Sequence, residues 1–390
     1  MGFAVPDKNG NLIWRVNSDG SELRLEIEWY QGWYGDRHLS SSGVTQEPSR
    51  GDAVSTNLAQ KNKRRNKKGK QNMELLINVL LLVAGFAMLV KGADWFVDGS
   101  AGIAGKLKIP QLVIGLTIVA MGTSAPEAAV SITSALQGNA GITIGNIVGS
   151  NIMNVLVILG LASTIAGRIA VAKSTVKYEI PFVIGITVLL LVLGFTGNAI
   201  TFIEGIILWI AFIAYLAYLL VMAKNNPEEI EDESKDIGWL KLVILTIIGM
   251  ALIIFGSDVA VDAATKLATI LGMSERFIGL TIVALGTSLP ELCTSVVAAK
   301  KGNADIAIGN IVGSNIFNIL FVVGTAALIT NIPFAPSFRI DTIIATLACV
   351  ILLIGCAKEH KLTRKCWYCD ATLLHCILRL SSNDLRTKRR

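Results

Sequence analysis

Charge is scarce in this chain. Only 16% of its 390 residues are Asp, Glu, Lys or Arg, against 52% that are hydrophobic, and the mean hydropathy is +0.58. Soluble domains carry about a quarter charged residues, so the balance argues against a water-soluble globule and for a membrane protein. Histidine is rarer still: there are three, and none falls in the repeated segments described below. Those segments also lack a nucleophile–base pair or an aspartate dyad, so an enzyme is not expected. The six cysteines make no framework. Cys293, Cys349 and Cys356 lie in apolar runs as packing residues, and Cys366-x-x-Cys369 lacks the second ligand pair a zinc site needs. The net charge of +6 comes largely from the two tails, so nucleic acid is not an expected partner. No secretory signal opens the chain, and membrane insertion is expected to rest on internal spans.

What is abundant is hydrophobic length. Crossing a bilayer takes ~20 apolar residues, and such runs lie near 73–90, 109–136, 142–166, 178–196, 200–223, 239–256, 276–299, 304–329 and 338–356. All are read as helices, since a membrane barrel would show short alternating strands. Residues 1–72 form a polar and basic extension without periodicity, expected to be disordered or not native. A first membrane half covers 73–223, an acidic tether 224–238 ("NNPEEIEDESKD" at its centre), and a second half 239–356. The tail 357–390 departs from the pattern.

Connections after the odd-numbered spans carry Lys106, Lys108, Arg168, Lys173, Lys177, Lys224, Lys235, Lys300, Lys301, Lys358, Lys361, Arg364 and Lys365. The others carry Lys266, Arg276 and Arg339. By the positive-inside rule the first set is cytoplasmic, which starts the first span outside the plasma (inner) membrane. The basic run "KNKRRNKKGK" at 61–70 would pull the same span inward; the conflict vanishes if the natural start is Met73.

The chain repeats itself. "IGLTIVAMGTSAPE" at 114–127 recurs as "IGLTIVALGTSLPE" at 278–291, and "GNAGITIGNIVGSNIMN" at 138–154 recurs as "GNADIAIGNIVGSNIFN" at 302–318. One offset of 164 residues relates both blocks and extends upstream to Gly92, Asp94 and Asp98 against Gly256, Asp258 and Asp262. The repeat cores are 114–160 and 278–324. The second span maps onto the seventh, and an odd shift turns the second copy upside down in the membrane. Two inverted copies with an ion site between them at the midplane are the pattern of secondary transporters.

Within these copies Glu127 and Glu291 lie deep in their spans, too far from water to snorkel easily. An ionised carboxylate there costs several kcal/mol unless it is paired or faces a wet cavity, and the apolar spans within the repeat cores hold no basic residue, Lys300 and Lys301 falling in a connection. The partner must be a shared proton or a bound cation. Pro126 and Pro290 remove backbone donors and free the carbonyls of Gly122 and Gly286. Hydroxyls of Thr123, Ser124, Thr287 and Ser288 stand beside these breaks, and oxygens are what hard cations take. Ser150 and Asn154, like Ser314 and Asn318, are four apart and share a helix face, with Asn146 and Asn310 a turn earlier. The glycines of "GNIVGSN" allow close helix packing. Asp94, Asp98, Asp258 and Asp262 fall near span ends and read as capping or solvated charge.

"GTSAPE…GNIVGSNIMN" and "GTSLPE…GNIVGSNIFN" resemble the two alpha repeats of the cation/calcium antiporter superfamily, most closely its compact prokaryotic sodium/calcium exchangers. The resemblance covers roughly residues 73 to 356. It implies an all-α polytopic membrane protein of two inverted five-helix repeats, ten helices in all. Glu127 and Glu291 would ligate Ca²⁺ and share Na⁺ sites, with oxygens from Thr123, Ser124, Thr287 and Ser288. The carbonyls of Ala120 and Ala284 would complete outer sodium sites, and Ser150, Asn154, Ser314 and Asn318 would line the cavity. Some family members, including potassium-dependent exchangers, carry Asp where this chain has Asn318, which leans against potassium dependence. The tenth helix is poorly encoded by "KLTRKCWYCDATLLHCILRLSSNDLRTKRR", and a reading-frame change in this tail would explain it. The implied function is exchange of Na⁺ for Ca²⁺ by alternating access, expected to extrude calcium. A proton/calcium antiporter and a cation channel stand as alternatives. No cofactor is expected, only transported ions, in a protein working as a monomer in the lipid bilayer.

Overall fold

Backbone amides and carbonyls in a bilayer must find partners within the chain, and helices satisfy them segment by segment. The computed structural model describes residues 4–6, 12–15, 22–23, 50–225, 237–273, 284–357 and 360–363. They fall into two units, Met1–Asn66 and Lys67–Arg390. In the first, the strands Ala4–Pro6 (β1), Leu12–Arg15 (β2) and Glu22–Leu23 (β3) pair antiparallel in that order, although the sequence there shows no period.

Helix α1 (Arg50–Leu107) has its apolar part at Asn72–Leu107. After it come α2 (Gln111–Thr123), α3 (Ala125–Leu136), α4 (Gly141–Ala166), α5 (Thr175–Phe195) and α6 (Phe202–Asn225). The second half holds α7 (Trp239–Ile270), α8 (Ala284–Thr287), α9 (Leu289–Lys300), α10 (Ala304–Ile329) and α11 (Pro336–Ala357). Among the described residues, seven helices are long and apolar enough to cross a membrane, eight if the bent pair α2–α3 counts as one span. The expected span 276–299 is described only from residue 284. Most of the acidic tether, the Cys366–Cys369 pair and residues 364–390, where a tenth helix would fall, lie outside the described residues.

Two boundaries differ from the hydropathy reading. Helices α1 and α7 continue past residues 90 and 256, to Leu107 and Ile270. Asp94, Asp98, Asp258 and Asp262 therefore lie inside helices, past the apolar stretches that the hydropathy marks. Three of the four carry ion pairs. Lys91 pairs with Asp94 at 2.6 Å, Lys266 with Asp262 at 3.1 Å, and Lys301 reaches both Asp94 (2.5 Å) and Asp98 (2.6 Å). Pairs three or four apart on one helix support it.

Burial orders the bundle. In the most apolar stretch of α10, 94% of residues are buried, against 17% for α1, so α10 is central while α1 turns most of its surface outward. Cys349 and Cys356 are buried and Cys293 is half-buried. Aromatic rings of Trp209 and Phe212 on α6 meet Phe317 and Phe321 on α10 at 5.1–6.1 Å between centroids.

Close approach depends on glycine. A Cβ on Gly313 of α10 would lie 2.7 Å from both the Ala120 Cβ and the Leu116 carbonyl oxygen of α2, and one on Gly309 would lie 3.0 Å from the Gly115 backbone. The sequence-based reading of these glycines as packing devices holds for Gly309 and Gly313.

The halves also exchange short strands. Arg168–Ala170 (β4) pairs with Lys361–Thr363 (β7), and Ala199–Ile200 (β5) pairs with Ile332–Pro333 (β6). Each pair takes one strand from each half, and β4 and β6 occupy equivalent places in the repeat. Such reciprocal contacts are what a two-fold relation between halves produces.

Candidate functional site

The site begins with the missing amide hydrogens of Pro126 and Pro290. Each proline stands in the first turn of its helix, where its absent N–H is least costly. Helix α3 leaves α2 at a bend of 51° around Ser124. The Gly286 carbonyl, which Pro290 leaves without its helical donor, accepts a hydrogen bond from the Ser257 hydroxyl of α7 at 2.8 Å. The equivalent place on α1 is Ala93, which has no hydroxyl.

Glu127 and Glu291 follow in the first turns of α3 and α9, where the positive end of the helix dipole favours negative charge. Both are fully buried. Their hydroxyl partners come from both halves. Ser124 donates to Glu291 Oε1 at 2.7 Å, and Ser314 lies 3.5 Å from the same oxygen. Ser150 and Ser288 approach Glu127 Oε1 at 3.3 and 3.4 Å and lie 3.1 Å from each other. Each glutamate thus meets the motif serine of the opposite repeat and the "GSN" serine of its own.

Asparagines surround this pair. Asn310 Nδ2 donates to Ser295 Oγ (2.9 Å) and towards the Glu291 carbonyl (3.4 Å). Asn146 Nδ2 does the same with Ser131 (3.0 Å) and the Glu127 carbonyl (3.3 Å). Two turns on, Asn154 Nδ2 donates to Asn315 Oδ1 and Asn318 Nδ2 to Asn151 Oδ1. Helices α4 and α10 both widen from i→i+4 to i→i+5 bonding at Asn154 and Asn318, a distortion that concentrates at functional sites.

Four oxygens are left over. Glu127 Oε2, Glu291 Oε2, Asn154 Oδ1 and Asn318 Oδ1 are buried with no hydrogen-bond partner among the described residues. A buried acceptor without a donor costs ~1–3 kcal/mol, and more when charged. Two carboxylates with neutral amide and hydroxyl oxygens form a hard-cation donor set. Among the described residues no group of three or more His, Cys, Asp or Glu could hold a metal, so neutral oxygens must complete any coordination shell.

Many sequence-predicted residues are brought together here: Glu127, Glu291, Ser124, Ser288, Ser150, Ser314 and Thr123, while Asn154 and Asn318 bond asparagines of the opposite repeat and make no described hydrogen bond to the glutamates. Thr123 Oγ1 donates to Asn310 Oδ1 at 2.9 Å and lies 3.3 Å from the Ala120 carbonyl, which Ser314 Oγ also approaches at 3.4 Å. Thr287 is half-buried at the end of α8, and no contact among the described residues ties it to the glutamates. Ala284 opens α8.

Five residues were missed by sequence reasoning: Ser131, Ser295, Asn151, Asn315 and Ser257. The first four recur at the 164-residue offset, which is the signal that would have found them; Ser257 has no counterpart. A third buried carboxylate, Glu179 on α5, was also missed. It accepts a hydrogen bond from Tyr218 of α6, and its repeat equivalent is Ile343.

A family profile described as sodium/calcium exchanger protein matches residues 77–221 and 241–365. CaxA of Alkalimonas amylolytica, named as a candidate antiporter, is 38% identical over 302 residues, covering 74% of this chain and 94% of that protein. MaX1 of Methanosarcina acetivorans, named as a sodium/calcium exchanger, is 32% identical over 329 residues, covering 74% and 94%. Among solved structures, the sodium-calcium exchanger NCX_Mj soaked with 10 mM Na⁺ and 10 mM Sr²⁺ matches with a TM-score of 0.69 and 32% identity, over 78% of this chain and 98% of that one.

Proposed function

The chain belongs to the sodium/calcium exchanger family, and on that premise we propose that it exchanges Na⁺ for Ca²⁺ by alternating access and carries calcium out of the cell. Family membership makes it a multi-pass cation/Ca²⁺ antiporter, not an enzyme, whose ions are substrates. The observation that carries the finer reading is the set of four orphaned oxygens on Glu127, Glu291, Asn154 and Asn318, beside hydroxyls drawn from both repeats.

One Ca²⁺, or two Na⁺, offsets the charge of the two carboxylates. The ions therefore compete for one site lined by Glu127, Glu291, Thr123, Ser124, Ser288, Ser150, Ser314, Asn154 and Asn318. Thr287 and the carbonyls of Ala120 and Ala284 join it in the loaded state. An emptied site leaves two buried charges uncompensated, at several kcal/mol each. That penalty disfavours crossing unloaded and couples the two fluxes. The halves act as inverted repeats in the plasma membrane, with the start of α1's apolar part outside, in agreement with the loop charges.

Proteoliposomes test the coupling ion. Vesicles loaded with Na⁺ and diluted into sodium-free buffer containing labelled Ca²⁺ are expected to accumulate calcium against its gradient. Uptake should persist when any pH gradient is collapsed by an ionophore. Accumulation driven by a pH gradient with sodium absent would replace Na⁺ with H⁺, and movement only down the calcium gradient would indicate a channel.

A further inference from the structure

We propose that Asn151 and Asn315 are positioning residues that fix which end of the Asn154 and Asn318 amides faces the ion. The proposal rests on the reading of those two amides as ion ligands. An asparagine amide is nearly the same shape either way round, so packing alone does not decide where its oxygen points. The difference matters, because an oxygen attracts a cation and an NH₂ group repels it.

The choice here is forced by a chain of hydrogen bonds that ends on the backbone. Asn151 Nδ2 donates to the Asn315 carbonyl at 3.2 Å, and Asn315 Nδ2 donates to the Asn151 carbonyl at 3.3 Å. A backbone carbonyl only accepts, so each of these side chains must turn its NH₂ inward to the other helix. Their Oδ1 atoms are then presented as acceptors. Asn154 turns its own NH₂ to Asn315 Oδ1 at 3.0 Å, and Asn318 turns its NH₂ to Asn151 Oδ1 at 3.1 Å. The remaining ends are Asn154 Oδ1 and Asn318 Oδ1, buried without any protein donor. With all four residues at most 5% exposed, water has little room to scramble the order. Either carbonyl anchor dictates the sense of its ligand two bonds away. The arrangement is reciprocal, each half orienting the ligand of the other.

A double-mutant cycle tests this by separating action through Asn154 from mere packing. The KM for Ca²⁺ is measured in proteoliposomes for Asn154→Ala, Asn315→Ala and the double variant. Each single change is expected to raise KM by about tenfold, the scale seen when an outer-shell partner of a metal ligand is lost. Adding Asn315→Ala to Asn154→Ala is expected to change KM less than twofold. Equal effects of Asn315→Ala in both backgrounds would overturn the positioning role while leaving the site intact. A normal KM for Asn154→Ala would instead remove Asn154 as a ligand, and the proposal with it. The reciprocal cycle of Asn151→Ala with Asn318→Ala decides by the same criteria if Asn315→Ala does not fold.

Discussion

Replacing Glu291 by Gln is expected to abolish sodium-gradient-driven calcium uptake while leaving the protein folded. The substitution keeps the shape and an oxygen that can still accept from Ser124, which now lies 2.7 Å from Glu291 Oε1. What it removes is one of the two negative charges in a fully buried pair. A Ca²⁺ ion would then sit with an uncompensated positive charge, and breaking a buried charge pair in this way costs about 3–5 kcal/mol. At 1.4 kcal/mol per factor of ten, that is a loss of more than about a hundredfold in affinity. Without ions, the variant should be at least as stable as the parent, since one buried carboxylate no longer has to be desolvated. Two measurements check this together. Calcium flux should fall to background, and the rise in Tm that Ca²⁺ gives the parent by binding its folded state should disappear. Normal flux in the variant would sink the assignment of Glu291. Glu127→Gln is expected to behave alike, because Ser150 and Ser288 hold its Oε1 in the equivalent way.

The glutamates were legible in the sequence for a simple reason. A carboxylate is expensive in an apolar span, and a duplicated one at a fixed offset is not an accident. Ser150 with Asn154, and Ser314 with Asn318, were legible because residues four apart share a helix face. The crossed partnership, Ser124 with Glu291 and Ser288 with Glu127, was not. It depends on how the halves pack, and no local period encodes that. Asn151 and Asn315 stand inside the same repeated motif, yet nothing in residue type separates an amide that bonds the opposite helix's carbonyl from one whose oxygen is left without a described donor. Only the direction of the hydrogen bonds does. Helices α1 and α7 run on past their apolar stretches because Asp94, Asp98, Asp258 and Asp262 lower local hydropathy without breaking the helix. Ser257 could not be found by symmetry at all, since its counterpart is Ala93.

The other large effect is expected at Gly313, which has no side chain to offer an ion. Helix α10 meets α2 there so closely that an added methyl would lie 2.7 Å from the Ala120 Cβ, 2.7 Å from the Leu116 carbonyl oxygen and 2.8 Å from the Leu116 Cα. Two of these three atoms are backbone, so the clash cannot be relieved by turning a flexible side chain. The helices must separate, and overpacking of this kind costs about 1–3 kcal/mol. The same seam carries part of the site. Ser314 lies 3.4 Å from the Ala120 carbonyl and 3.5 Å from Glu291 Oε1, and Thr123 bonds Asn310 at 2.9 Å. These contacts are already at or near the limit of hydrogen bonding for the serine, so a shift of a few tenths of an ångström would break them. Gly313→Ala is therefore expected to lower Tm and raise the KM for Ca²⁺ together, and Gly313→Leu to prevent accumulation of folded protein. Gly185→Ala supplies the contrast: its position in α5 is exposed, with no described atom within 4 Å of the added methyl. There the loss of glycine from a helix interior should stabilise by about 0.5–1 kcal/mol. A Gly313→Ala protein as stable as the parent would mean that α2 has slack against α10, and the ion site would then owe its spacing to something other than this seam.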